Sequence, residues 1–350
     1  MEAAYLKNIR QVVPYTPGEQ PKQPGIIKLN TNENPYPPSP KVMEKLREVD
    51  KLRMYPDPAV SELRDAIADY KGLQKDQVFV GVGSDDVLAM CFMTYFNGEL
   101  PVLFPDITYS FYDVWAELFR VPYEMIPLDT SFCIRPEDYQ KPNGGVIIAN
   151  PNAPTGIFMP LFEIEKIIAS NSDVIVIVDE AYVDFGGESA VGLLEKYENL
   201  IVVQTFSKSR SLAGMRIGYA MGSRELIKAL NDVKYSFNSY TMNQPSIILG
   251  KASIEDEEYF KQTCDAIIHT REWVKEELRA LGFSFPDSKT NFIFATHESV
   301  QAEEIFRAAK EENIYVRYFK KPRIDNYLRI TIGTDDEMKQ LLHFLKNYLK

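Results

Sequence analysis

The chain has 350 residues, 45% of them apolar and 12% aromatic, enough to bury one large core and a smaller one beside it. Its 50 acidic residues outnumber 39 basic ones, and a formal net charge of −11 argues against non-specific binding to nucleic acid or to an anionic membrane. No stretch approaches the length of apolar sequence that a membrane-spanning helix needs. Cys91, Cys133 and Cys264 are widely spaced and odd in number, with no C-x-x-C and no secretory signal, so the expected compartment is the cytoplasm. His269, His297 and His343 stand apart, and no metal site is expected.

Residues 1–40 are rich in proline and poor in periodicity, and read as an N-terminal arm lying on the rest of the molecule. The arm contains Tyr15, in Pro14-Tyr15-x-Pro17-Gly18, and the run Leu29-Asn30-x-Asn32-Glu33-Asn34-Pro35. A large domain is expected over 41–250 and a small C-terminal one over 251–350. In the large domain, helical spacing over 41–49 gives way to a turn at Tyr55-Pro56-Asp57-Pro58, and Ser61 opens an amphipathic helix. A strand at Val78-Phe79-Val80 then runs through Gly81-Val82-Gly83-Ser84-Asp85 into an apolar helix. That order leaves backbone N–H groups and the positive end of a helix dipole free for an anion, although the same glycines would serve a plain tight turn. After a strand at Val102-Leu103-Phe104, Tyr109 is the first aromatic residue and is placed to stack on a planar ring, with Phe111, Tyr112 and Trp115 on the helix that follows. Val146-Ile147-Ile148-Ala149 is a further strand, and a helix over 161–170 makes a βαβ crossover to the next one.

The stretch from Asp173 to Gly218 organises the chain. Val174-Ile175-Val176-Ile177-Val178 is β-branched throughout, as in a parallel strand buried on both faces, and stops at Asp179-Glu180. Leu200-Ile201-Val202-Val203 is a second such strand and runs into Gln204-Thr205-Phe206-Ser207-Lys208. Two neighbouring strands thus deliver ionisable groups at their carboxyl ends, where open α/β sheets bind ligands. A lysine amine and a carboxylate there, with Gly214 and Arg216 close behind, suit pyridoxal 5′-phosphate. That cofactor needs an amine to hold it covalently, an acid facing its pyridine nitrogen and donors around its phosphate. Lys208, Asp179 and the set Thr205, Ser207 and Arg216 supply these in turn.

Beyond residue 223 the pattern is helical to about Leu281, after which strands near 291–294, 314–317 and 327–332 alternate with helices over 300–311 and 335–349. Arg317, Lys320, Lys321 and Arg323 form a basic cluster in an acidic protein.

Ser207-Lys208, Gly214, Arg216 and Gly218 resemble the lysine motif of fold-type I aminotransferases, and the chain as a whole resembles the histidinol-phosphate aminotransferase family. The resemblance is carried by Asn30-x-Asn32-Glu33-Asn34-Pro35, Asp179-Glu180-Ala181-Tyr182, the lysine motif and Leu328-Arg329-Ile330-Thr331-Ile332-Gly333-Thr334. It implies a fold-type I α/β transferase, its large domain a mostly parallel sheet flanked by helices, with a smaller α/β domain at the C-terminus. It implies that Lys208 holds the cofactor and moves the substrate's proton, that Asp179 pairs with the pyridine nitrogen, and that Tyr182 bonds the ring oxygen. By the same resemblance Ser84, Asp85, Thr205, Ser207 and Arg216 hold the phosphate and Tyr109 stacks on the ring. The asparagine usual before Pro-Thr-Gly is Ala153 here, and Asn152 is expected to take its role through a shifted loop. The family is homodimeric, with Tyr55 reaching the partner's site. Tyr15, Asn32, Arg317 and Arg329 fall on substrate-binding positions, the arginines receiving the anionic end. The implied reaction transfers an amino group between L-histidinol phosphate and 2-oxoglutarate, giving imidazole-acetol phosphate and glutamate. Alternatives on the same scaffold are an aromatic or broad-specificity aminotransferase and a threonine-phosphate decarboxylase. A transcription regulator on this scaffold would need a DNA-binding domain that the first 40 residues cannot supply.

Overall fold

The computed structural model describes residues 4–350. Its strands are β1 (Ile27–Leu29), β2 (Val78–Gly81), β3 (Val102–Pro105), β4 (Tyr123–Ile126), β5 (Gly145–Ala149), β6 (Val176–Asp179), β7 (Leu200–Thr205), β8 (Gly218–Gly222), β9 (Phe283–Ser284), β10 (Phe292–His297), β11 (Ile314–Tyr318) and β12 (Leu328–Thr331). The helices are α1 (Pro40–Lys45), α2 (Ser61–Lys71), α3 (Ser84–Tyr95), α4 (Tyr112–Phe119), α5 (Leu161–Ser170), α6 (Arg224–Phe237), α7 (Gln244–Ile254), α8 (Glu257–Ala280), α9 (Ala302–Glu311) and α10 (Asp335–Tyr348).

Seven strands form one sheet in the order β2-β8-β7-β6-β5-β3-β4, parallel except where β8 runs antiparallel between β2 and β7. The β-branched runs fill its centre because both faces are covered. Val176, Val178, Leu200 and Val202 pack into one apolar layer, while Ile177, Ile201 and Val203 point into the other. This is period-two alternation with both sides dry, and each such side chain contributes roughly 1.5–3 kcal/mol by leaving water. The strand expected from Val174 begins only at Val176, because the Val174 N–H is spent on the Asn171 carbonyl in the preceding turn.

Three strands of this description carry weak sequence signals. In β4 the residues Glu124 and Met125 are exposed on an edge, and β8 is a short run bounded by glycines. The third is β1. The proline-rich arm contributes it to a second sheet, β1-β11-β12-β10-β9, by parallel pairing of Ile27–Leu29 with Ile314–Val316. Ile293, Ala295, Ile314, Val316 and Ile330 of that sheet pack against Val274, Leu278, Ile305 and Leu341 of the C-terminal helices.

The two sheets meet through Arg323. Its guanidinium donates to Asp106 Oδ2 at 2.9 Å and to the carbonyls of Leu128 and Asp129 at 2.9 and 2.7 Å. The basic cluster of the sequence is therefore divided: Arg323 ties β11–β12 to the end of β3, Lys320 and Lys321 are exposed, and Arg317 lies beside Arg329.

Candidate active site

The carboxyl ends of β5, β6 and β7 surround a cavity of about 170 Å³, closed on one side by the start of α3 and on another by the arm. Glycine makes this convergence possible. Gly218 pairs with Gly81 across β8 and β2, and a Cβ on Gly218 would lie 2.3 Å from the Ser84 nitrogen. Gly83, at φ +87°, lets Arg216 lie against the loop, where a Cβ would meet the Arg216 guanidinium at 2.5 Å. The G-x-G segment is thus both a tight turn and a cradle. Among the described residues no side chain caps α3 at its N-cap, Gly83, so first-turn N–H groups stay free at the positive end of the helix dipole.

Asp179 enters the cavity at the end of β6. Burial pushes its carboxyl up to about 6, against the lowering effect of the Tyr112 hydroxyl, which donates to Oδ2 at 2.8 Å, and of the Ala181 N–H at 3.3 Å. Among the described residues this carboxylate has no cationic partner, and a protonated ring nitrogen would supply one. Lys208 follows β7, and its Nζ donates to the Thr31 carbonyl at 3.2 Å and lies 5.8 Å from the Tyr182 ring. Tyr109 is fixed by donating to Asp85 Oδ1 at 2.6 Å, and burial first, then Asp85, hold its hydroxyl well above the usual tyrosine value. Arg216 reaches Asp85 Oδ2 at 3.3 Å, and Thr205 Oγ1 and Ser207 Oγ lie 3.0 Å apart, all on the cavity wall. An amine, an acid, an aromatic plate and a cluster of anion donors fit a phosphorylated pyridine aldehyde.

Of the residues singled out in the sequence, Ser84, Asp85, Tyr109, Asp179, Tyr182, Thr205, Ser207, Lys208 and Arg216 all line this cavity. Asn152 does not. Its Nδ2 donates to the Ile107 carbonyl and to Thr155 Oγ1, both at 3.0 Å, and its Oδ1 accepts from Thr108 Oγ1 at 2.9 Å. Alternation along the loop puts Pro151 and Ala153 on the cofactor side and turns Asn152 into a separate cavity of about 390 Å³ behind β5. The amide expected to reach the cofactor through a shifted loop is engaged outside this cavity, with Ile107, Thr108 and Thr155.

Asn32 is buried behind Tyr182, donating to its hydroxyl at 2.9 Å, and does not line the cavity. Tyr15 stacks on Phe111 with centroids 4.2 Å apart. Tyr55 is 82% exposed and lies against Tyr240 at 4.7 Å, outside the cavity of its own chain. Arg317 and Arg329 are direct cross-strand neighbours, and neither forms a salt bridge among the described residues. Arg329 Nη2 donates to the Asn30 carbonyl at 2.9 Å, while its buried Nε has no partner among the described residues. Burial pushes its guanidinium down, Arg317 adds to that, and Tyr182, Tyr15 and Tyr109 bear on its charge. Tyr112, Thr31 and Thr331 are contributors that sequence reasoning missed. Tyr112 stood in the aromatic helix with nothing to set it apart from core residues.

The sheet order and this constellation define a pyridoxal-phosphate-dependent transferase of fold-type I. The sequence pattern described as aminotransferase class I and II matches residues 24–345, and the chain belongs to that family. It is 52% identical over 348 residues to a histidinol-phosphate aminotransferase of Clostridium botulinum (strain Okra / Type B1), covering 99% of this chain and 98% of that one. It is 51% identical over 349 residues to the corresponding protein of Lactococcus lactis subsp. lactis (strain IL1403), covering 99% and 97%. Among solved structures, the histidinol-phosphate aminotransferase of Clostridium acetobutylicum superposes with a TM-score of 0.85 at 22% identity, over 92% of this chain and 98% of that one. The enzyme of that name from Sinorhizobium meliloti, in complex with pyridoxal-5′-phosphate, gives 0.83 at 22% identity over 92% and 90%. These two likenesses establish the fold.

Proposed function

We propose that this chain transfers the amino group of L-histidinol phosphate to 2-oxoglutarate, giving imidazole-acetol phosphate and glutamate, as a step of histidine biosynthesis. The observation that carries the reading is full-length identity of about half to relatives of that name. Arg317 and Arg329, adjacent and without a salt bridge among the described residues, support it, because one pocket must accept a phosphate in one half-reaction and a carboxylate in the other. A guanidinium fork pairs with either through two hydrogen bonds.

When bound, the cofactor supplies an electron sink for the negative charge that develops at the substrate's Cα. Asp179 holds a proton on the ring nitrogen and so deepens that sink. Tyr109 positions the ring, and Ser84, Asp85, Thr205, Ser207 and Arg216 hold the phosphate. Lys208 would hold the cofactor through its amine, and the same amine, when free, would be the base that takes the proton from the substrate's Cα. Arg329, with Arg317, orients the substrate so that this proton faces Lys208 Nζ.

We also infer a cytoplasmic homodimer with Tyr55 acting in the partner's site. Among the described residues no helix is long and apolar enough to cross a membrane. Leu52, Met54, Tyr55, Phe237 and Tyr240 are all exposed, an apolar surface of the kind that a second subunit covers. Steady-state turnover of histidinol phosphate beside phenylalanine and threonine phosphate tests the substrate assignment. Histidinol phosphate should lead by orders of magnitude in kcat/KM. Equal use of phenylalanine would make the enzyme broad in specificity, and release of carbon dioxide from threonine phosphate would make it a decarboxylase.

A further inference from the structure

Ala153 brings no donor to the cofactor cavity and Asn152 faces away from it, so Tyr182 is left to meet the ring oxygen without an asparagine beside it. The groups behind Tyr182 determine where its proton points. The Asn32 N–H donates to Thr331 Oγ1 at 3.1 Å, so that oxygen accepts there and its own proton goes to Asn32 Oδ1, 2.9 Å away. With Oδ1 accepting, the Asn32 amide orientation is fixed, and its Nδ2 must be the donor to the Tyr182 hydroxyl at 2.9 Å. The Asn291 amide holds the Asn32 carbonyl at 2.9 Å from the opposite side. The Tyr182 oxygen is therefore an acceptor toward Asn32, and its single proton is left for the cavity.

We propose that Asn32, set by Thr331, is a positioning residue that directs the Tyr182 proton onto the cofactor's ring oxygen, supplying by relay the polarisation that an asparagine at position 153 would give directly. The inference rests on Tyr182 bonding that oxygen. It also links the cofactor to the second sheet, since Thr331 ends β12. A donor on the ring oxygen withdraws charge that would otherwise hold the proton shared with the lysine nitrogen. Losing the donor therefore makes that proton harder to remove.

The holoenzyme's visible absorbance titrates with this proton, and the midpoint is read separately from turnover. Asn32 sits at φ +57°, a conformation that glycine and aspartate tolerate, so Asn32→Gly removes the donor without straining the loop. Tyr182→Phe should raise the midpoint, and Asn32→Gly and Thr331→Val should raise it in the same direction by roughly half a pH unit or more, the worth of one neutral hydrogen bond. Asn32→Asp, whose carboxylate accepts the Tyr182 proton, should match or exceed Tyr182→Phe. Ala153→Asn added to Asn32→Gly should return the midpoint toward wild type, which repair of packing alone would not do. Lys208, Tyr109 and Arg329, which face Tyr182, are unchanged in all of these variants. If Tyr182→Phe moves the midpoint while Asn32→Gly and Thr331→Val leave it at the wild-type value, the relay is wrong. If Tyr182→Phe leaves it unmoved, the placement of Tyr182 on which the relay rests is wrong.

Discussion

The Tyr112 hydroxyl donates to Asp179 Oδ2 at 2.8 Å, from the first residue of α4 to the last residue of β6. This bond and the Ala181 N–H are what hold the carboxylate ionised against complete burial. Tyr112→Phe should therefore weaken Asp179 as the ring-nitrogen partner while keeping the packing of the ring. Turnover should fall by roughly tenfold, the equivalent of one hydrogen bond to a charged group, with cofactor still bound. An unchanged kcat, with Asp179→Ala losing orders of magnitude, would show that Tyr112 only fills space.

Asp179 also predicts a pH dependence in cofactor-free protein. Its carboxyl is pushed up to about 6 from an ordinary 3.8, and that of Glu180, beside it, up to about 7 from 4.5, in both cases by burial first. A carboxyl whose native value lies above its unfolded value binds protons more tightly when folded. Its cost to stability is full above the native value and is relieved as pH falls. Asp179→Asn should therefore stabilise the cofactor-free protein at pH 8 by roughly 2–3 kcal/mol at most, with the gain vanishing by about pH 4. Denaturant midpoints of the two proteins across that range check it. A difference that stays constant with pH would mean that the carboxyl titrates alike in the native and unfolded chains.

Arg329 has a buried Nε with no partner among the described residues, and Arg317 lies directly across the strand pair. Arg329→Ala should weaken histidinol phosphate and glutamate together, by roughly 2 to 5 kcal/mol in kcat/KM, with the cofactor spectrum unaltered. Loss confined to one of the two substrates would place the other's anion elsewhere.

Tyr55 is outside the cavity of its own chain. Mixing inactive Tyr55→Ala and Lys208→Ala chains under subunit exchange should restore activity, because one site of each mixed dimer then has both residues. Mass spectrometry confirms exchange, and no recovery after exchange would confine Tyr55 to its own subunit or remove it from the reaction.

The sequence by itself determined the central strands and the identity of the ionisable groups that they deliver. A β-branched run can satisfy its apolar surface only between two covered faces, so the ionisable groups fall where the run stops, at Asp179 and just before Lys208. It also marked Gly218, whose lack of a Cβ lets β8 approach Ser84. Only the tertiary structure decided which way a side chain faces at a bend and what meets it across the fold. Asn152 and Ala153 differ by one position, and the alternation that sends one toward the cofactor sends the other away from it. Tyr112 and Asp179 are 67 residues apart, Asn32 and Tyr182 150 apart, and Asn32 and Thr331 299 apart. A local pattern records burial and period, but a hydrogen bond depends on distance and direction between groups that only the packing of the two sheets brings together.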